Sequence, residues 1–116
     1  MTFLCYENCS TCRKAKAWLK ERGLSFTERP IREENPTADE LRRWIALSGK
    51  PTRQWFNFNG TRFKELHLRT RLGEMSEEEK IHLLAQSGML VRRPVLVGDG
   101  FVLVGFKEAE WEEKLG

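Results

Sequence analysis

The chain has 116 residues, 40% hydrophobic and 32% charged, with a net charge of +3. That composition suits a single soluble domain with one core and excludes disordered and collagen-like chains. No apolar run approaches the ~20 residues of a membrane span, and the first residues lack the basic-then-apolar pattern of a signal peptide. Three cysteines do not make a secreted disulfide framework, so the expected location is the cytoplasm.

Thr2-Phe3-Leu4-Cys5-Tyr6 reads as a short buried strand. Ser10 or Thr11 can then cap a helix whose apolar face holds Ala15, Trp18 and Leu19, with Gly23 as its stop signal. Leu24 to Glu28 alternates like a half-buried strand, and Pro30 ends or edges it. Ile31 to Pro36 is a polar connector. Thr37 and Glu40 have capping-box spacing ahead of a helical stripe of Leu41, Trp44, Ile45 and Leu47, and Gly49 stops that helix. Thr52 to Phe56 reads as a short helix, Asn57 to Gly60 as a turn, and Phe63 to Leu72 as another short helix. Ser76 and Glu79 form a second capping box before Ile81, Leu84 and Ala85, with Gly88 past the end. Pro94–Val97 and Phe101–Val104 are strands joined by a Gly98-Asp99-Gly100 hairpin turn, and Lys107–Leu115 is a closing helix with Trp111 inward.

The order β-α-β, helices, β-β-α predicts an α/β fold. A parallel right-handed crossover joins the first two strands and the late hairpin is antiparallel. The expected arrangement is a thioredoxin-like fold with a mixed four-stranded sheet, helices on both faces and an inserted helical lobe. One domain spans 1–116, with the core at 1–30 and 91–116 and the lobe at 31–90.

Cys9-Ser10-Thr11-Cys12 sits where the first strand meets the first helix. Unpaired N–H groups and the macrodipole at a helix start favour an anion, so a thiolate forms there more easily than in free cysteine. Arg13, Lys14 and Lys16 push the same way. Cys12, three residues on, is close enough to bridge to Cys9. Redox chemistry competes with zinc binding and with inert packed thiols. Zinc needs a second ligand pair, and neither a second Cys-x-x-Cys nor a His-x-x-x-His exists, so no metal is expected. Cys5, mid-strand among Phe3, Leu4 and Tyr6, reads as a packed thiol. His67 and His82 read as structural or exposed, and the four tryptophans as core. From Arg42 to Leu72 eight Lys/Arg (Arg42, Arg43, Lys50, Arg53, Arg62, Lys64, Arg69, Arg71) face one acid, Glu65. That stretch reads as a solvated positive face, and with no RNA-binding aromatic motif or helix-turn-helix no direct nucleic-acid contact is expected.

The chain resembles the ArsC family of thioredoxin-fold proteins, in its Spx-like branch. The residues that carry the likeness are Cys9 to Ala15, Trp18-Leu19, Phe56-Asn57, Lys64-Glu65-Leu66, Arg93-Pro94 and Leu103 to Phe106. In arsenate reductases of this family one cysteine attacks arsenate and arginines hold the oxyanion. The resemblance puts Cys9 at the nucleophile and Arg93 at one arginine. Asn57 and Gly105 or Phe106 fall at the other two positions, and none is a cation. Cys12 is an addition that makes an internal disulfide the natural product. The implied activity is a thiol-dependent reductase with Cys9 as nucleophile, Cys12 as resolving thiol, and Arg93 with Arg13 lowering the Cys9 pKa. Arg13, Asn57 and Pro94 line the substrate side, and the Arg93–Pro94 peptide is expected to be cis. No bound cofactor is implied; the reductant is external, glutathione with glutaredoxin or thioredoxin. Two rival activities follow from the same resemblance. One is a redox-sensing regulator that binds the RNA polymerase α subunit, with Gly49 at the contact; by its residues alone Gly49 is a helix cap. The other is a glutaredoxin-linked arsenate reductase.

Overall fold

The structure is a computed structural model and describes residues 1–116. Strand β1 (Thr2–Cys5) leads through a tight connection into helix α1 (Ser10–Glu21), and β2 (Thr27–Pro30) follows. Then come α2 (Ala38–Ser48), a 3-10 turn at Thr52–Trp55, α3 (Thr61–Glu65), α4 (Leu68–Arg71) and α5 (Glu77–Gln86). Strands β3 (Val95–Val97) and β4 (Val102–Val104) and helix α6 (Glu108–Leu115) close the chain. The sheet order is β2-β1-β3-β4, with β1 and β2 parallel and the other two pairs antiparallel.

Register explains how one small sheet serves two cores. Phe3 pairs with Leu96 and Leu96 with Leu103, so these three form a row across the sheet. They pack with Ala15, Trp18 and Leu19 of α1 and Trp111 of α6. The neighbouring row, Leu4, Val95 and Val104, points to the opposite face because strand side chains alternate. It packs with Leu41, Trp44, Trp55, Phe56, Ile81 and Leu84. The lobe at 31–90 is therefore the cover of one sheet face. Trp111 donates its indole N–H to the Gly105 carbonyl at 3.1 Å, fixing α6 to the end of β4.

Local signals set most helix boundaries. Thr37 and Glu40, and again Ser76 and Glu79, exchange both hydrogen bonds of a capping box. Gly49 ends α2 in the left-handed conformation at φ 69°.

Several boundaries differ from the sequence expectation. The second strand begins at Thr27, whose N–H donates to Met1 O, because Leu24 N–H still closes the end of α1 on Leu19 O. Phe26 instead packs edge-on against Phe3 at 5.5 Å between ring centroids. Pro30 is the last residue of this edge strand. Ile31, expected in a polar connector, is fully buried in the core beneath the lobe. Leu47 falls off the stripe and is 49% exposed, because six residues beyond Leu41 is about two-thirds of a turn out of phase. The helix expected over Phe63–Leu72 is two short helices, broken at His67 with φ 54°. The N-cap of α1 is Cys9 itself, with Ser10 its first helical residue.

Candidate active site

Cys9 occupies the N-cap of α1 with extended backbone, φ −97° and ψ 116°. Its sulfur accepts the Cys12 backbone N–H at 3.4 Å, the role a serine oxygen plays in an ordinary cap. The side chain is half-buried. Burial pulls the Cys9 pKa up, but the Cys12 N–H and the Arg93 guanidinium, acting as donor and as charge, outweigh it and leave the pKa below that of an ordinary thiol. Cys9 is therefore the thiol most readily ionised.

Cys12 lies one turn into α1 and is buried. Burial is the main reason its pKa is pushed up to about 12; the Tyr6 backbone N–H against its sulfur opposes this, and the neighbouring Cys9 adds to it. Cys5, at the end of β1, is half-buried and not sealed in the core. Burial and then Glu28 raise its pKa, while Lys16 opposes them. All three thiols are free. No group of three or more His, Cys, Asp or Glu side chains is placed to hold a metal ion.

Arg93 precedes Pro94 across a cis peptide bond. Its guanidinium donates to Met89 O at 3.3 Å and lies 5.4 Å from the Tyr6 ring centroid. Its Nε is buried without a partner. Arg93 also lines a cavity of about 470 Å³ with Asn57, Asn59, Thr61, Arg62 and Ser87. Arg62 thus brings a second guanidinium to the cavity that Arg93 opens on.

Cys9, Cys12 and Arg93 thus come together, and Asn57 joins them on the Arg93 side. Pro94 is buried, and its carbonyl accepts the Gly105 N–H at 2.8 Å. Arg13 does not reach Cys9: its guanidinium donates to Glu7 O at 2.9 Å, and its side chain lines the cavity on the Cys5–Cys12 side instead. Of the other arginines near in sequence, Arg53 lines a separate groove with Arg69 and Lys80. Arg92 lies over Gly105, where a Cβ would come within 2.7 Å of its Nε. Tyr6 and Met89, which position the Cys12 sulfur and Arg93, were not singled out from the sequence. Tyr6 reads from the sequence as the last residue of the first strand, whereas β1 ends at Cys5 and Tyr6 lies in the link to α1; Met89 offers no signal.

No helix is long and apolar enough to cross a membrane. A family model described as ArsC family matches residues 4–114. YusI of Bacillus subtilis (strain 168) is 43% identical over 113 residues, covering 97% of this chain and 96% of its own. The regulatory protein MgsR of the same organism is 34% identical over 110 residues, covering 95% and 86%. Further matches are global transcriptional regulators named Spx. An ArsC family related protein from Bacteroides fragilis superposes with a TM-score of 0.95 at 53% identity, over 97% of this chain and 94% of that one. With the cysteine at the helix cap, the arginine beside it and the matched span agreeing, the chain belongs to the ArsC family.

Proposed function

We propose that the chain is a thiol–disulfide oxidoreductase in which Cys9 attacks and Cys12 resolves. The observation that carries this reading is the Cys9 sulfur at the cap of α1, which accepts the Cys12 N–H and has its pKa lowered by that donor and by Arg93. The Cys9 thiolate attacks a disulfide, forms a mixed disulfide and expels the first thiolate. Capping that sulfur removes the Cys9 charge, one of the causes that keep Cys12 protonated. Cys12 then attacks the Cys9 sulfur, the second thiolate leaves, and the internal bridge remains. An external thiol, glutathione with glutaredoxin or thioredoxin, returns the dithiol. A disulfide fits this site better than arsenate, since a tetrahedral dianion calls for several forked donors and one guanidinium lies against Cys9.

A second reading, a redox-switched regulator that contacts the RNA polymerase α subunit, is favoured by the likeness to MgsR and the Spx regulators. Gly49 suits either, being exposed at the left-handed cap of α2.

One experiment separates the two. Cys12→Ser incubated with a small disulfide should accumulate a mixed disulfide on Cys9, and the wild type should pass through it to an internal bridge. Absence of the adduct from Cys12→Ser, with co-purification of the α subunit by the oxidised wild type, would replace the oxidoreductase reading with the regulator.

A further inference from the structure

We propose that Cys5 is a third redox thiol, which takes over the bridge from Cys9 by forming a Cys5–Cys12 disulfide and returns Cys9 to the free thiolate. This deepens the dithiol reading above and rests on it.

Strand alternation places Cys5 on the same sheet face as Phe3, where it packs beside the α1 and α6 core. Cys12 is the first buried residue of α1 above that face. The two thiols line a single cavity of about 250 Å³, with Phe3, Tyr6, Lys16 and Glu28 among the other walls. The Cys12 sulfur also lies against the backbone N–H of Tyr6. That peptide group is the one joining Tyr6 to Cys5, so the Cys12 sulfur faces the end of β1 on which Cys5 sits. Cys5 and Cys9 both act on Cys12 through charge, and Cys9 acts on Cys5, so the three thiols form one cluster.

The direction of exchange follows from the leaving group. In a Cys9–Cys12 bridge, the Cys5 thiolate attacks the Cys12 sulfur, the S–S bond to Cys9 breaks, and the electron pair leaves on Cys9. Cys9 has the lowered pKa and is the better leaving group. The Cys5 proton passes to solvent through the cavity, whose charged walls are Glu7, Arg13, Lys16 and Glu28. Burial and Glu28 make Cys5 a poor first nucleophile, which orders it after Cys9. No oxidant is consumed in the exchange. The freed Cys9 thiolate can attack a second molecule of disulfide, so the chain accepts two oxidising events before it needs its reductant.

Excess bis(2-hydroxyethyl) disulfide, acid quench and peptide mass mapping test this. The wild type should end with a Cys5–Cys12 bridge and a mercaptoethanol adduct on Cys9. Cys5→Ser and Cys5→Ala should both lose the adduct and stop at Cys9–Cys12. Cys9→Ser, which cannot form the first bridge, should close Cys5–Cys12 far more slowly than the wild type. A wild type that stops at Cys9–Cys12 with Cys5 free to alkylate would overturn the proposal and leave the dithiol reading intact. Absence of a Cys9–Cys12 bridge from both Cys5 variants would overturn the dithiol reading and this proposal with it.

Discussion

Replacing Arg93 with alanine should raise the Cys9 pKa and slow its attack near neutral pH. The guanidinium beside Cys9 is held by Met89 O and by the face of Tyr6, and its Nε is a buried donor with no acceptor. Removing it takes away the contacts to Met89 O at 3.3 Å and Met89 Sδ at 3.9 Å and the Tyr6 ring contact, and relieves one orphan, so the loss of fold stability should be small. The sulfur loses both a donor and an opposite charge. At a half-exposed thiol we take the low end of that effect, a thiolate population at pH 7 lower by roughly tenfold. A more basic thiolate is also a better nucleophile, with a Brønsted exponent of about 0.4–0.5, which returns roughly threefold. The net expectation is exchange about threefold slower at pH 7. Above the pKa of both forms the variant should overtake, by about the same factor. Rates of exchange with a small disulfide against pH, in a Cys12→Ser background, read both limbs. Arg93→Lys keeps the charge and should lie between. Superimposed profiles for wild type and Arg93→Ala would refute the electrostatic role, and a melting temperature lower by ten degrees or so would make Arg93 a structural residue.

Two further expectations concern the fold. Arg29 donates to both oxygens of Glu40, and with the capping bond from Thr37 this holds the Glu40 pKa down to about 2. A depressed carboxylate stabilises above its unfolded pKa of about 4.3, and that stability is lost as pH falls from there through about 2. The wild type should exceed Glu40→Gln by about 1 kcal/mol at neutral pH, a modest figure because the pair is partly solvated, and denaturant titrations should show the gap closing toward pH 2. A gap constant over that range would refute the linkage. Gly88→Ala should cost about 2 kcal/mol or more, because a Cβ there would lie 1.9 Å from the Ile31 carbonyl oxygen, which is backbone and cannot turn aside. Unchanged stability in the same titration would mean that the approach of the two segments is looser than described.

What could be read from the sequence was what neighbours in the chain decide between themselves. The capping boxes at Thr37 and Ser76 need only residues three apart, and both formed. The α1 stripe of Ala15, Trp18 and Leu19 repeats at helical spacing and is buried. What escaped depends on partners far along the chain. The start of β2 is set by pairing with β1, so the alternation at Leu24–Glu28 was displaced by three residues. The break at His67 lies between two helices whose buried residues, Phe63 and Leu68, both serve the core under the lobe. At the site, Arg13 is close to Cys9 in sequence but turns to Glu7 O, while Arg93, distant in sequence, is brought beside Cys9 by the fold. Cys5 could be given a strand from its neighbours, but the cavity it shares with Cys12 requires α1 to be docked on β1.

The sheet has two open margins, and each blocks recruitment of another strand. On one side β2 is largely exposed, carries Glu28 and Arg29, and ends at Pro30, which has no N–H to offer. Lys16 reaches Glu28 from α1 and adds a further charge at that margin. On the other side β4 is only three residues long. A second copy of the chain therefore meets charge, a missing donor and too short a ladder, which are the devices that keep edge strands from templating fibres. Concentrated protein should stay dispersed for this reason, even where partial opening of the short lobe helices uncovers part of the apolar face beneath them.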